Sequence, residues 1–390
     1  MTGREDIATE ERALCDIAHE FAKSRLRAAG AAADAGGAYP WDVVRDAIAL
    51  GLGAPNVPES FGGAGTGARA QAAMMEELGW GNFGLAASIG ASGVVAAAIL
   101  HAGSTAQKEC YLPRLAGADG TGVGALALTE PEGGSEMEIL LSQDQTVRTR
   151  ATKTAGGVRL SGAKRFITNG GQADVTLVLA SEGEGGPKTW SLFIVESGDP
   201  GAISGRRIPT LGLRGSYTGE IQFEDCILTE DRRLGAPGTG MATVLYALSV
   251  ARPMASSAAL GLARAAYEEA AQYARERRQF GVPIITLQQV GASLAEMRTR
   301  LDAARLLVRA AAGELEAGRD ASLPAAEAKL FAGETAVQVT QAGLQVLGGY
   351  GFTQEFPLEM WVRDAFVARI FFGTAEIQRL EIARGIQEGL

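Results

Sequence analysis

The chain has 390 residues, of which 46% are hydrophobic and 21% charged, which predicts a folded protein of several domains and excludes a disordered one. A net charge of −9 argues against nonspecific nucleic-acid binding, which needs a basic face to displace counterions. Three scattered cysteines (Cys15, Cys110, Cys226) fit a reducing cytoplasm with no disulfide frame, and the distant histidines His19 and His101 offer no metal-ligand spacing.

The start, Met1-Thr-Gly-Arg-Glu-Asp6, is polar and has no apolar signal core. No run is expected to approach the roughly 20 apolar residues that span a bilayer, so a cytoplasmic protein without a membrane partner is predicted. From Glu10 to about Ala116 the pattern is helical: Ala13, Ile17, Phe21 and Leu26 recur at helical spacing, and Trp41 to Leu50 repeats it. Asn56-Val-Pro-Glu-Ser-Phe-Gly-Gly-Ala-Gly65 breaks it with turns. Segments with strand character follow, starting at Val158, Thr176, Trp190 and Glu220, separated by Gly, Asp and Asn turns. Helical periodicity returns over Val244–Arg277, Leu287–Gly318, Pro324–Gly343 and near Gly373–Gly389.

Helices, then strands, then helices predict a multidomain α+β protein. An N-terminal helical domain over 1–122, a middle β domain over 123–235 and a C-terminal helical domain over 236–390 follow. No segment has the Rossmann order of strand, glycine turn and helix; Gly348-Gly-Tyr-Gly351 lies between helices and is no dinucleotide fingerprint.

Four blocks carry chemistry. They are Leu126-Ala-Leu-Thr-Glu-Pro-Glu-Gly-Gly-Ser-Glu136; Lys164-Arg-Phe-Ile-Thr-Asn169 with Ala173-Asp174; Arg277-Arg-Gln-Phe-Gly281 with Gln288; and Gln345-Val-Leu-Gly-Gly-Tyr-Gly-Phe352, Arg363-Asp364 and Arg369-Ile-Phe-Phe-Gly-Thr-Ala-Glu-Ile-Gln-Arg379. In this order and spacing the blocks resemble the acyl-CoA dehydrogenase family of flavoproteins. The resemblance implies a helical domain, a β-barrel and a four-helix bundle, FAD as cofactor, and a homo-oligomer, tetramer or dimer.

It also implies roles. Leu126, Thr129 and Ser135 match positions along the flavin ring, Leu126 where an aromatic is common, and Phe166 and Thr168 match positions packing on it and donating toward its reactive edge. Arg277, Gln279, Phe280 and Gln288 match residues reaching the diphosphate and adenine of a neighbouring subunit's FAD, for which a guanidinium fork suits the diphosphate. Gln345, Gly348, Gly349, Thr374 and Glu376 match the adenine-side contacts, where glycine permits close approach. Ser135, Tyr246, Arg252, Phe372 and the loop Leu211-Gly-Leu-Arg-Gly-Ser216 fall on the substrate side, Arg252 equally readable as half of a buried ion pair.

The resemblance has one gap. Removing the α-proton of an acyl thioester calls for a carboxylate in a desolvated pocket. Phe372 and Ala251 occupy the two positions where the family carries that glutamate, so the catalytic base is unknown; Tyr246, Glu136 and Tyr350 are conceivable substitutes. Three readings remain. One is a dehydrogenase of CoA or carrier-protein thioesters with a non-standard or absent base. The second is a flavin-dependent monooxygenase or oxidase on the same scaffold. The third is a noncatalytic subunit of a heteromeric enzyme. Electron-transfer flavoprotein, flavin reductase or oxygen is the redox partner implied.

Overall fold

The computed structural model describes residues 9–135 and 147–389. The polar start Met1–Asp6 and Glu136 lie outside the described residues.

The first domain consists of α1 (Thr9–Phe21), α2 (Arg27–Asp34), α3 (Trp41–Ala49), α4 (Ala68–Gly81), α5 (Phe83–Ala102) and α6 (Thr105–Ala116). Asn82 starts α5 by accepting from the Leu85 N–H at 2.9 Å, and Ser104 with Gln107 forms a capping box on α6. One expectation fails here. Helix α5 runs for 20 residues at a mean hydropathy of 2.0, long and apolar enough to cross a membrane. Its window is 78% buried within the protein, so it is apolar all round because other elements enclose it.

The second domain holds β1 (Gly124–Ala127), β2 (Arg150–Thr154), β3 (Gly157–Thr168), β4 (Val175–Ser181), β5 (Trp190–Glu196), β6 (Ala202–Arg207), β7 (Thr218–Leu228) and β8 (Arg233–Leu234). They form one eight-stranded sheet with path β6-β7-β3-β2-β4-β5-β8, and β1 pairs with β4. Period-two alternation sorts the side chains: Leu177, Leu179, Leu192 and Ile194 join the core shared with α5 and α6, while Val178, Ala180, Phe193 and Val195 join Leu160 and Phe223 in the other.

The third domain packs α7 (Gly240–Glu276), α8 (Gln288–Glu316), α9 (Ser322–Leu347) and α11 (Ala375–Glu388) together. A hairpin of β9 (Arg278–Gln279) and β10 (Val282–Pro283) joins α7 to α8, and the short α10 (Leu358–Ala365), which periodicity did not reveal, precedes α11. Helix α7 is buried continuously from Ala255 to Ala266 because it lies between the bundle and α4. A Cβ on Gly79 would lie 2.0 Å from the Ala258 carbonyl oxygen, and one on Gly261 2.0 Å from that of Glu76, so glycine is what lets the two backbones touch. Arg264 caps the interface with two bonds to Glu77 at 3.0 and 2.6 Å, and Arg305 grips Glu76 at 3.0 and 2.9 Å.

Candidate active site

The first element is the segment leaving β1. Buried Lys164 on β3 donates to the Leu128 carbonyl and to Glu130, each at 2.9 Å. Glu130 also accepts from the backbone N–H groups of Arg148 (2.7 Å) and Thr149 (2.8 Å) and from the Thr149 hydroxyl (2.7 Å). The Thr129 carbonyl accepts from the Arg165 N–H at 2.9 Å. Leu128–Glu130 is thereby fastened to β3. Burial pushes the Lys164 ammonium down to about 8 against the opposing pull of Glu130. Burial also pushes the Glu130 carboxyl upward, but Lys164 and Thr149 outweigh it and leave the net shift downward.

Leu126, Thr129, Phe166 and Thr168 therefore come from β1, its following turn and β3, which pack together. Phe166 sits where the β3–β7 register shifts, has a left-handed φ of 59° and is 55% exposed. An exposed aromatic presented by a bulge suits stacking on a planar ligand. Ser135 is exposed at the last described residue of its segment.

The second element is a cavity of about 490 Å³ lined by Arg277, Gln279, Gly348, Gly349, Tyr273 and Tyr350, among others. It unites blocks about 70 residues apart in sequence. A Cβ at Gly348 or Gly349 would meet nothing within 4 Å, leaving the cavity floor open, and φ at Gly348 is +59°. The Arg277 guanidinium lies 5.8 Å from the Tyr350 ring centroid. Gln345 is exposed on the last turn of α9, Gln288 opens α8, and Phe280 protrudes from the hairpin at 89% exposure. Thr374 is occupied as the N-cap of α11, accepting from the Ile377 N–H at 3.3 Å, with Glu376 exposed beside it.

The third element is a narrow apolar slot of about 50 Å³ between α4, α5 and α7. Met74, Met75, Phe83, Met254, Ala251 and Phe372 are among its walls. Among the described residues lining it, none is ionisable; the polar side chain is Gln71, which donates to the Thr66 carbonyl at 2.8 Å. Both expected glutamate positions thus face one slot. Tyr350 lines the other cavity, while Tyr246 is 40% exposed and stacks on His101 at 4.0 Å, outside the residues lining the slot.

Arg252 does not line the slot either. It is 2% exposed and pairs with Glu381 at 2.9 Å, while its Nε donates to the Phe372 carbonyl at 3.3 Å. The buried ion pair is the arrangement that forms. Gln378 donates to the carbonyls of Phe372 (3.4 Å) and Gly373 (3.2 Å), and buried Lys329 donates to Gly373 at 2.6 Å. Periodicity did not single out Lys329; its signal is one cation within an Ala-rich buried stretch of α9.

The loop Leu211–Ser216 is the junction of all three domains. Asp364 accepts from the Leu213 N–H at 2.5 Å, and Arg363 donates to the Leu211 carbonyl at 3.3 Å while gripping Asp34 at 2.8 and 2.6 Å. A Cβ on Gly212 would overlap the Arg363 backbone, and one on Gly215 would overlap Asn82. Leu213 has a left-handed φ of 54°, so the loop is held against strain. Burial pushes the Asp364 carboxyl up to about 7, against the pull of the Leu213 N–H.

Helical, β and helical domains frame an open cavity that holds Arg277 and an apolar slot, a three-domain arrangement suited to a bound cofactor and an apolar substrate. Comparison with known proteins makes this specific. Models of the acyl-CoA dehydrogenase N-terminal, middle and C-terminal domains match residues 8–119, 125–226 and 238–387. An acyl-CoA dehydrogenase from Bacillus subtilis (strain 168) is 36% identical over 389 residues, 98% of this chain and 99% of the relative. The structure of butyryl-CoA dehydrogenase from Megasphaera elsdenii superposes with a TM-score of 0.93 at 32% identity, covering 98% of this chain and 99% of that one. A structure of PigA with FAD and proline gives 0.91 at 30% identity, covering 98% and 99%.

The chain belongs to the acyl-CoA dehydrogenase family. It is an enzyme, and FAD is its cofactor. Its own residues fit that group: the open floor at Gly348 and Gly349 and the guanidinium of Arg277 suit the adenosine diphosphate end, and exposed Phe166 suits the ring.

Proposed function

We propose that this protein is an FAD-dependent oxidoreductase acting on an acyl thioester, carried by CoA or a carrier protein, without the side-chain base usual in its family. The observation that carries this reading is the slot: it is apolar, it faces both Ala251 and Phe372, and among its described lining residues there is no proton acceptor. FAD when bound would supply the hydride acceptor, and the α-proton would pass to solvent water at the mouth of the slot, since no described lining residue takes it. Thr129, Phe166 and Thr168 would hold and orient the ring, Arg277 and Gln279 would bind the diphosphate end of a neighbouring subunit's FAD, and Phe372 with the methionines lines the acyl slot. Phe280, at 89% exposure, supports a homo-oligomer in which a second copy covers it.

An oxygen-using monooxygenase or oxidase is the second reading, favoured by the same dry lining. That Thr168 and Arg277 keep the residue types the family uses toward FAD supports an enzyme over a noncatalytic subunit. Product analysis separates the first two. Formation of an α,β-unsaturated thioester without oxygen supports the thioester dehydrogenase. Product only in the presence of oxygen and an added flavin reductase overturns it in favour of the oxygenase.

A further inference from the structure

We infer that Met75 is a specificity-determining residue: its thioether lies across the slot at Gly90 and stops an acyl chain there, so that short chains are preferred. This rests on the thioester reading above and deepens it. The slot spans two cores. Ala251 and Val94 belong to the core against which Phe372 packs, so the end that receives the α-carbon lies there. Met75, Phe83 and Ala258 belong to the other core, against which Phe371 packs, and they mark the far end. Ala251 and Ala258 are two turns apart on α7, about 10 Å.

Gly90 and Ala91 on α5 and Ala255 on α7 line the stretch between these ends, and Met75 reaches into it from α4. A Cβ on Gly90 would stand 2.9 Å from the Met75 Cε and 3.3 Å from its Sδ, so the thioether fills the notch that glycine leaves. Gly90 is one turn along α5 from Val94, about 6 Å, and two turns from Phe83. The thioether therefore crosses the slot ahead of the far wall, where Phe83 and Phe371 pack edge-on at 5.7 Å. Beyond that wall the way is shut, because Gly79, one turn after Met75, lets α4 and α7 touch at Ala258. A chain entering past Ala251 and Phe372 thus meets Met75 after a few carbons. Truncating Met75 joins the front of the slot to the space before the aromatic pair.

The test is calorimetric binding of trans-2-enoyl-pantetheine thioesters, from butenoyl through hexenoyl to octenoyl, to the FAD-loaded protein and its variants. Pantetheine is the arm shared by CoA and carrier proteins, and the unsaturated chains bind without turnover. The wild type is expected to bind butenoyl best, with octenoyl at least about tenfold weaker. Met75→Ala should move the optimum to longer chains, gaining about fourfold for each further methylene buried. Met75→Val should move it the same way by less, and this milder variant decides the matter if the alanine variant does not fold. Met75→Leu, which keeps the bulk, should retain the short-chain preference; a role in stability alone would instead leave the order of chain lengths unchanged in all three. A profile unchanged in the folded alanine or valine variant, or equal binding of all lengths by the wild type, overturns the inference and leaves the thioester reading standing. No binding of any thioester by the wild type or any folded variant overturns both.

Discussion

The Arg252 guanidinium donates to the Phe372 carbonyl at 3.3 Å, linking the position next to Ala251 directly to the turn before α11. The two places where a catalytic glutamate is expected are therefore neighbours across one slot, tied through a buried ion pair to Glu381 at 2.9 Å. A carboxylate at either would face the same bound chain.

Phe372→Glu should consequently create a proton acceptor. Dehydrogenation of short thioesters is expected to rise by about 10²–10⁴-fold, the usual contribution of a positioned base. Burial among methionines and aromatics will raise the new carboxyl's pKa, so the gain should grow as pH rises through neutrality. No gain with thioesters of any length, in a folded variant, counts against an acyl-thioester pocket.

Asp364 gives a pH prediction. Its folded pKa of about 7 stands above the ordinary 3.8, so the folded state binds this proton more tightly than the unfolded chain does. Stability from this group is full below about 4 and is lost as pH rises toward 7, by up to a few kcal/mol. Asp364→Asn keeps an oxygen for the Leu213 N–H but cannot ionise. Urea unfolding at stepped pH should show a shallower decline in the variant; identical slopes would refute the assignment.

The exposed Arg277 side chain lines an open cavity, so Arg277→Gln should leave thermal stability without FAD nearly unchanged. Losing a charge-assisted bond to a diphosphate should weaken FAD binding by about 1.5–3 kcal/mol. Fluorescence titration of the apoprotein with FAD measures this, and unaltered affinity would remove Arg277 from the cofactor site.

Gly261→Ala forces α4 and α7 apart, because the new methyl would sit 2.0 Å from the Glu76 carbonyl oxygen. A loss of about 1–3 kcal/mol in chemical denaturation is expected, as for other overpacked contacts. The same change at half-buried Gly183, where a Cβ meets nothing within 4 Å, should be close to neutral.

Much of the architecture is legible in the sequence, because long helices and half-buried strands write their periods into local residue order. Helix α5 departs from the expectation of no long apolar run, because enclosure on all sides produces the same apolar run as a bilayer does. Short α10 leaves too few turns for a period to register. The candidate site divides similarly. Arg277, Gln279, Gly348 and Gly349 could be named from their blocks, and they meet in one cavity. Contacts that depend on distant partners could not be read: Arg252 with Glu381 is separated by 129 residues, and Leu213 with Asp364 by 151. Lys329 is similar, since nothing beside it in sequence announces the Gly373 carbonyl it holds.

Anaerobic absorbance of the FAD-loaded wild type, followed after addition of butyryl-pantetheine or butyryl-CoA, tests the central claim most directly. The account predicts that the oxidised flavin band is lost as the thioester is dehydrogenated, and that the loss is faster in Phe372→Glu. A spectrum unchanged by every thioester, in both proteins, would contradict it.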